Sequence, residues 1–236
     1  AQTDGRLSGA FQFDGSNDYV SVTNEANFDF ETTSPFSIVG WIYLNAVGSD
    51  RVIIEKLTGT TGWSLQKVAD ADSLTINILN SGSNIIDVRS STSLTTGRWY
   101  HVAMTYDGSS KAAGTELYIN GIKESKRILT DALSASILNN NTVNIGSRAG
   151  SAPFNGKIDE IAIFDRALSS LEIKELYRNG FPRLAVDDLK ANEVYPDNIH
   201  LSGDYVYDDP KLKLYLPFEE GNGTRAYDRS TKGHNA

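Results

Sequence analysis

Leu7-Ser-Gly-Ala-Phe-Gln-Phe-Asp-Gly-Ser-Asn-Asp-Tyr-Val-Ser-Val22 is the stretch around which the chain is organised. Phe11 and Phe13, and then Tyr19 to Val22, carry the period-two apolar pattern of β-strands. Between them lies Asp14-Gly-Ser-Asn-Asp18, a tight loop dense in oxygen side chains, where Gly15 can take the positive φ such loops need. Two readings of these residues stay open. Asp14, Asn17 and Asp18 are the ligand types of a hard cation and could cradle Ca²⁺. The same residue types build Asx turns that satisfy local backbone N–H groups.

The same alternation runs through most of the chain. Pro35-Phe-Ser-Ile-Val-Gly-Trp-Ile-Tyr-Leu44 sets Phe36, Ile38, Gly40, Ile42 and Leu44 against Val39, Trp41 and Tyr43. Further strands are predicted over 51–57, 62–68, 73–79, 84–89, 99–106, 116–122, 139–145 and 156–164. Asp107-Gly108 and Asn120-Gly121 are two-residue turn signals. Residues 1–10 are polar and read as a poor nucleus for structure. One short helix is expected near 169–178, capped by Ser169 or Ser170, with Glu172 in its first turn and Asn179-Gly180 at its end. About a dozen short strands at regular spacing make this an all-β, antiparallel sandwich or jelly roll.

Composition narrows the possible roles. The 236 residues carry a formal net charge of −8, which argues against nucleic acid as partner and permits cation binding. There is no cysteine, so disulfide frameworks and thiolate metal sites are excluded. No apolar run approaches the ~20 residues of a membrane-spanning helix.

Several blocks in order resemble the laminin-G-like jelly roll of the concanavalin A-like lectin/glucanase superfamily. They are the opening stretch through Val20, Phe36-Ser-Ile-Val-Gly-Trp41, Gly97-Arg-Trp-Tyr-His-Val102, Leu117-Tyr-Ile-Asn-Gly121 and Gly156-Lys-Ile-Asp-Glu-Ile161. Arg166-Ala-Leu-Ser169 then opens the short helix, as it does in that family. The resemblance covers about residues 7–180. It implies a two-sheet jelly-roll domain over 1–180, an irregular extension over 181–213, and a terminal strand segment over 214–236. Leu214-Tyr-Leu-Pro-Phe-Glu-Glu-Gly-Asn-Gly223 looks like the strand that usually opens the family's pattern, here placed last. The fold is then circularly permuted, with this strand closing its own sheet. Otherwise the strand enters a neighbouring copy of the chain, or begins a next domain. The resemblance also implies a structural Ca²⁺ held by Asp14, Asn17 or Asp18, with Asp159 and Glu220.

Because the superfamily includes glucanases, catalysis needs a test against the residues. Retaining glycosidases need two carboxylates about 5 Å apart. The family's alternating acids have two near matches here, Lys157-Ile-Asp-Glu-Ile-Ala162 and Asn27-Phe-Asp-Phe-Glu31, and both lack a required acid. His101, His200 and His234 have no metal-pair spacing, and His101, within an apolar strand, reads as packed. The chain therefore reads as a non-enzyme. Trp41 and Trp99 lie in strong strands and read as core, which leaves Trp63 as the sugar-stacking candidate. The loops over 45–50, 80–84, 107–114 and 147–155 add Arg148 and Phe154. The resulting expectation is an extracellular or cell-surface carbohydrate- or glycoconjugate-binding module with structural calcium. The alternative is an adhesion or assembly module that links copies by strand donation.

Overall fold

The computed structural model describes residues 2–6, 9–148, 151–180, 184–185, 205–206, 209–219 and 226–230. The strands are β1 (Gln2–Asp4), β2 (Gly9–Asp14), β3 (Val20–Val22), β4 (Phe36–Leu44), β5 (Arg51–Thr58) and β6 (Thr61–Lys67). They continue as β7 (Ser73–Leu79), β8 (Ile85–Ser93), β9 (Trp99–Tyr106), β10 (Thr115–Ile119), β11 (Ile122–Lys123), β12 (Lys126–Asp131), β13 (Val143–Ile145) and β14 (Asn155–Phe164). Helix α1 (Ser170–Asn179) follows, and then β15 (Leu184–Ala185), β16 (Tyr205–Val206) and β17 (Leu212–Leu216).

Two antiparallel sheets form the sandwich. The first runs β1-β2-β14-β4-β9-β10-β11, with β17 also on β14, and the second runs β12-β8-β7-β6-β5-β13-β3. Alternation decides which side chains meet between them. Phe36, Ile38, Ile42 and Leu44 of β4 face Leu65, Leu74, Ile76, Ile78, Ile86 and Val88 of the other sheet within one buried core. Asn120 and Gly121 both take positive φ, at 52° and 72°, in the two-residue turn between β10 and β11. The predicted strand over 116–122 is thus a hairpin. Residues 1–10 are corrected: β1 pairs with β2, Gln2 opposite Phe11, so backbone ladder bonds order a polar segment.

Helix α1 lies on the outer side of the first sheet. Ser169 and Glu172 form a reciprocal capping box, and the Gly180 N–H closes the end on the Leu176 carbonyl. Ile173 and Leu176 bury against Val39, Ala103, Phe164, Leu212 and Tyr215. Among the described residues no helix is long and apolar enough to cross a membrane.

Strand β14 has one flank on β4. Its other flank is shared: Asn155 to Ile158 pair with β2, and Ile161 to Phe164 pair with β17. Both partners run antiparallel to β14, so β17 and β2 follow one another in a single lane. A bulge separates the two halves, with Glu160 at φ 52°. Gly40 faces it, where a Cβ would come 2.5 Å from Ile161 Cδ1. Leu214, Leu216 and Phe218 are fully buried in the main core.

Candidate functional site

The loop over 14–18 is held by its own oxygens. Asp14 Oδ1 accepts the Ser16 N–H at 2.7 Å, and Asp18 Oδ2 accepts the Asp14 N–H at 3.0 Å. Gly15 sits at φ 83°, and a Cβ there would meet Asn155 Nδ2 at 2.8 Å. Asn17 is exposed. Asp159 lies elsewhere. Asp14 pairs opposite Asn155, so Asp159 stands four residues, about 13 Å, further along β14. It is fully buried, and its Oδ2 accepts the Arg6 N–H at 2.8 Å. Glu220 lies outside the described residues. Ca²⁺ takes six to eight oxygens at one point. Among the described residues the set Asp14, Asn17, Asp18 and Asp159 does not fit one such point, and no three acidic or histidine side chains gather as a ligand cluster.

The stacking candidates need correction. Trp63 is 1% exposed, donates from Nε1 to the Phe28 carbonyl at 3.3 Å and packs against Phe30 and Phe36. Phe154 is fully buried, edge-on to Phe13. Neither ring can meet a ligand, because both fill the core between the sheets. Arg148 is partly exposed and donates from Nε to Glu55 Oε2 at 3.0 Å. It reaches the outer side of the second sheet.

That outer side is polar. Leu65, Ile76, Ile86 and Val88 point into the core, so the residues between them point away from it. Ladder pairing aligns Asn144, Glu55, Ser64, Asn77 and Asp87 in one transverse row across β13, β5, β6, β7 and β8. The next row holds Gln66, Thr75, Arg89 and Arg127. Glu55, Ser64, Gln66 and Thr75 are buried although they face away from the core, whereas Asn77, Asp87 and Arg89 are half-buried. The sunken part of this face, Glu55, Ser64, Gln66 and Thr75, is thus closed off beneath its longer neighbours, and the half-buried Asn77, Asp87 and Arg89 are the side chains a ligand can reach.

The side chains are oriented by one another. Gln66 Nε2 donates to Asn77 Oδ1 at 2.6 Å. Arg89 donates to Asp87 through Nε at 3.3 Å and Nη2 at 3.1 Å, and through Nη1 to Asp70 at 2.9 Å, where Arg127 also binds. The hydrogen bond that Arg89 donates to Asp87 is the main reason its pKa is raised. Burial pushes the Glu55 carboxyl up, against the opposing pull of Arg148. Thr75 Oγ1 is buried with no hydrogen-bond partner among the described residues. Fixed amides, carboxylates and a guanidinium in a shallow basin are suited to hydroxyl-rich ligands, which donate and accept together.

Sequence reasoning weighed loops and tryptophans and passed over this face. The signal was present in the polar halves of Trp63-Ser-Leu-Gln66, Leu74-Thr-Ile-Asn-Ile78 and Ile86-Asp-Val-Arg89. The apolar halves carried the strand assignments, and the polar halves drew no functional reading.

Two antiparallel sheets face to face, one carrying a capped helix and the other a sunken polar surface, define a jelly-roll sandwich of the concanavalin A type. Residues 14–174 match the sequence pattern of the concanavalin A-like lectin/glucanases superfamily, and the chain belongs to it. No curated protein sequence matches the chain. Similar folds occur in a candidate carbohydrate binding protein from Bacteroides ovatus ATCC 8483, with a TM-score of 0.62 and 22% identity over 96% of this chain. The chain spans 57% of that protein's length. Domain 4 of AbnA, a GH43 extracellular arabinanase from Geobacillus stearothermophilus solved with arabinotriose, gives 0.60 and 19% identity over 75% of this chain and 81% of its own. The Ruminococcus gnavus IT-sialidase CBM40 bound to α2,3-sialyllactose gives 0.58 and 14% over 75% and 98%.

Proposed function

We propose that this chain is a non-catalytic carbohydrate-binding module acting outside the cell, and that it grips saccharide hydroxyls on the sunken face of its second sheet. The half-buried Asn144, Asn77, Asp87 and Arg89 carry this reading, because ladder pairing spreads them across the outer side of the sheet, with the buried Glu55 and Ser64 supporting them from below. The fold's likeness to structures named for carbohydrate binding supports it. The setting of the carboxylates supports a binding role over catalysis. Asp70 and Asp87 are both paired with the Arg89 guanidinium, and Glu55 stands three strand spacings from Asp87, about 14 Å, beyond the roughly 5–10 Å separations of glycosidase pairs.

The test is a glycan array of the full chain, followed by calorimetric titration of any hit against Asn77→Ala and Arg89→Ala. Each variant should bind at least about fivefold more weakly, with unchanged far-UV circular dichroism. Unaltered affinity in both would move the site off this face, and a chain that binds no glycan would remove the reading.

A further inference from the structure

The outer side of the first sheet is covered by α1 over only part of its width. The helix packs on the row of Val39, Ala103 and Ala162. Its cover ends at Tyr177, which lies 5.6 Å from Trp41 and 5.9 Å from His101. Arg6 lies over the Trp41 ring at 4.8 Å. One row further out, ladder pairing aligns Gln12, Lys157, Tyr43 and Trp99 across β2, β14, β4 and β9. Phe13, Ile158, Ile42 and Tyr100, their strand neighbours, all point into the core. The row therefore faces outward. Beyond it come Asp14 and Asn155, paired in register, and Asn45, whose N–H bonds the Asn155 carbonyl at 3.0 Å.

The expectation that Trp99 belongs to the core is thus corrected. Tyr43 and Trp99 are both half-buried, with ring centroids 5.7 Å apart and planes inclined at 63°. Lys157 Nζ lies 5.8 Å from the Tyr43 ring. We propose that Tyr43 and Trp99 form a second saccharide-binding surface, on the opposite side of the sandwich from the sunken face, which takes an uncharged polysaccharide segment.

Three features support that ligand. Aromatic rings held at a surface offer a flat apolar face to sugar C–H groups, and their edges stay wet. Gln12, Asn45 and Asn155 supply amide donors and acceptors around them, as hydroxyls require. Lys157 and Arg6 are matched by Asp14 and Asp159, which favours a ligand without net charge over an acidic one. From Gln12 to Trp99 the row covers three strand spacings, about 14 Å, the reach of a short oligosaccharide. With the sunken face on the other sheet, one chain would hold two saccharide segments at once.

The experiment uses the full chain and soluble neutral polysaccharides: glucan, xylan, mannan and arabinan. Trp41 and Trp63 are buried, so acrylamide quenching of tryptophan emission reports chiefly on Trp99. At least one polysaccharide should protect that emission in the wild-type chain. Trp99→Ala and Tyr43→Ser should each weaken retention of the chain in gels containing that polysaccharide by about tenfold or more. Trp99→Phe should restore most of it. Lys174→Ala, at a position exposed on α1 and outside both surfaces, should leave protection and retention unchanged, and the direct reading at Trp99 separates this surface from the sunken one, which exposes no tryptophan. If no polysaccharide protects Trp99, or if Trp99→Ala and Tyr43→Ser are retained as the wild type is, the second surface is refuted. The wild-type quenching needs no variant to fold.

Discussion

Phe218 lies on Phe11 with ring centroids 4.6 Å apart, joining β17 and β2 where they meet in one lane along β14. Phe218 is fully buried and Phe11 only partly so. Phe218→Ala should therefore cost about 3–5 kcal/mol of stability, and Phe11→Ala less. Urea unfolding followed by far-UV circular dichroism checks both. Equal and small losses would mean that the β17 segment does not close the core in solution.

Trp63 gives a second prediction that separates packing from binding. Trp63→Ala should lose about 3–5 kcal/mol, through the cavity it leaves among Phe28, Phe30 and Phe36. Trp63→Phe keeps most of the apolar contact and loses the bond to the Phe28 carbonyl, so it should lose less. At temperatures where Trp63→Phe stays folded, its affinity for any glycan the wild type binds should be unchanged. A selective loss of affinity would return Trp63 to the site.

The fold was readable where burial on one face dominates a strand. β8 alternates cleanly, and Asn120-Gly121 marks its turn by residue type. The edge strand β12 was not readable. Its residues, Lys126 to Asp131, are mostly exposed, and Ile128 and Leu129 sit side by side, so no face repeats. Charged edge strands are common because they discourage pairing with other chains, and the same charge hides them from pattern reading. The bulge at Glu160 was hidden for another reason. It sets Ile161 against Gly40 across the ladder, a long-range fit that neither segment shows alone. The site divides in the same way. Asp14 and Asp159 looked like partners on family resemblance, but the register of β2 against β14 holds them apart. The outward rows could be assembled only once the ladder pairing was known.

The helix cap should leave a trace in acid. Glu172 bonds Arg166 and the Ser169 N–H, and the Arg166 bond is the main cause that lowers its pKa to about 2. A carboxyl lowered in the folded state stabilises the fold fully above its usual value of about 4.5. That contribution fades as pH falls from there towards 2. The Glu172 side chain is 41% exposed, so solvent screening limits the contribution to below about 1 kcal/mol. Glu172→Gln should have a lower urea midpoint than wild type at pH 6, and the two should converge near pH 2.5. A gap that persists in acid would mean the glutamate acts through packing and not through charge.

His101 also costs stability in acid, and does so over a higher range. It is 2% exposed between Trp41 and Tyr177, and burial alone pushes its pKa from 6.5 down to about 3. Its Nδ1 has no hydrogen-bond partner among the described residues. The unfolded chain therefore takes up a proton near pH 6.5, and the folded chain does not until near pH 3. Stability is then unpenalised above pH 6.5 and falls as pH drops towards 3, by up to about 1.4 kcal/mol per pH unit for one proton. Carboxylates titrate over the lower part of the same range, so the informative quantity is the difference from a variant that cannot titrate there. His101→Gln keeps a neutral polar side chain at the position. Between pH 6 and pH 4 its stability should fall less steeply than that of wild type, by up to about 1 kcal/mol per pH unit. Urea unfolding at half-unit intervals of pH measures the two slopes. Parallel slopes would mean that His101 takes up its proton inside the folded chain, which requires water or a rearranged Tyr177 beside it.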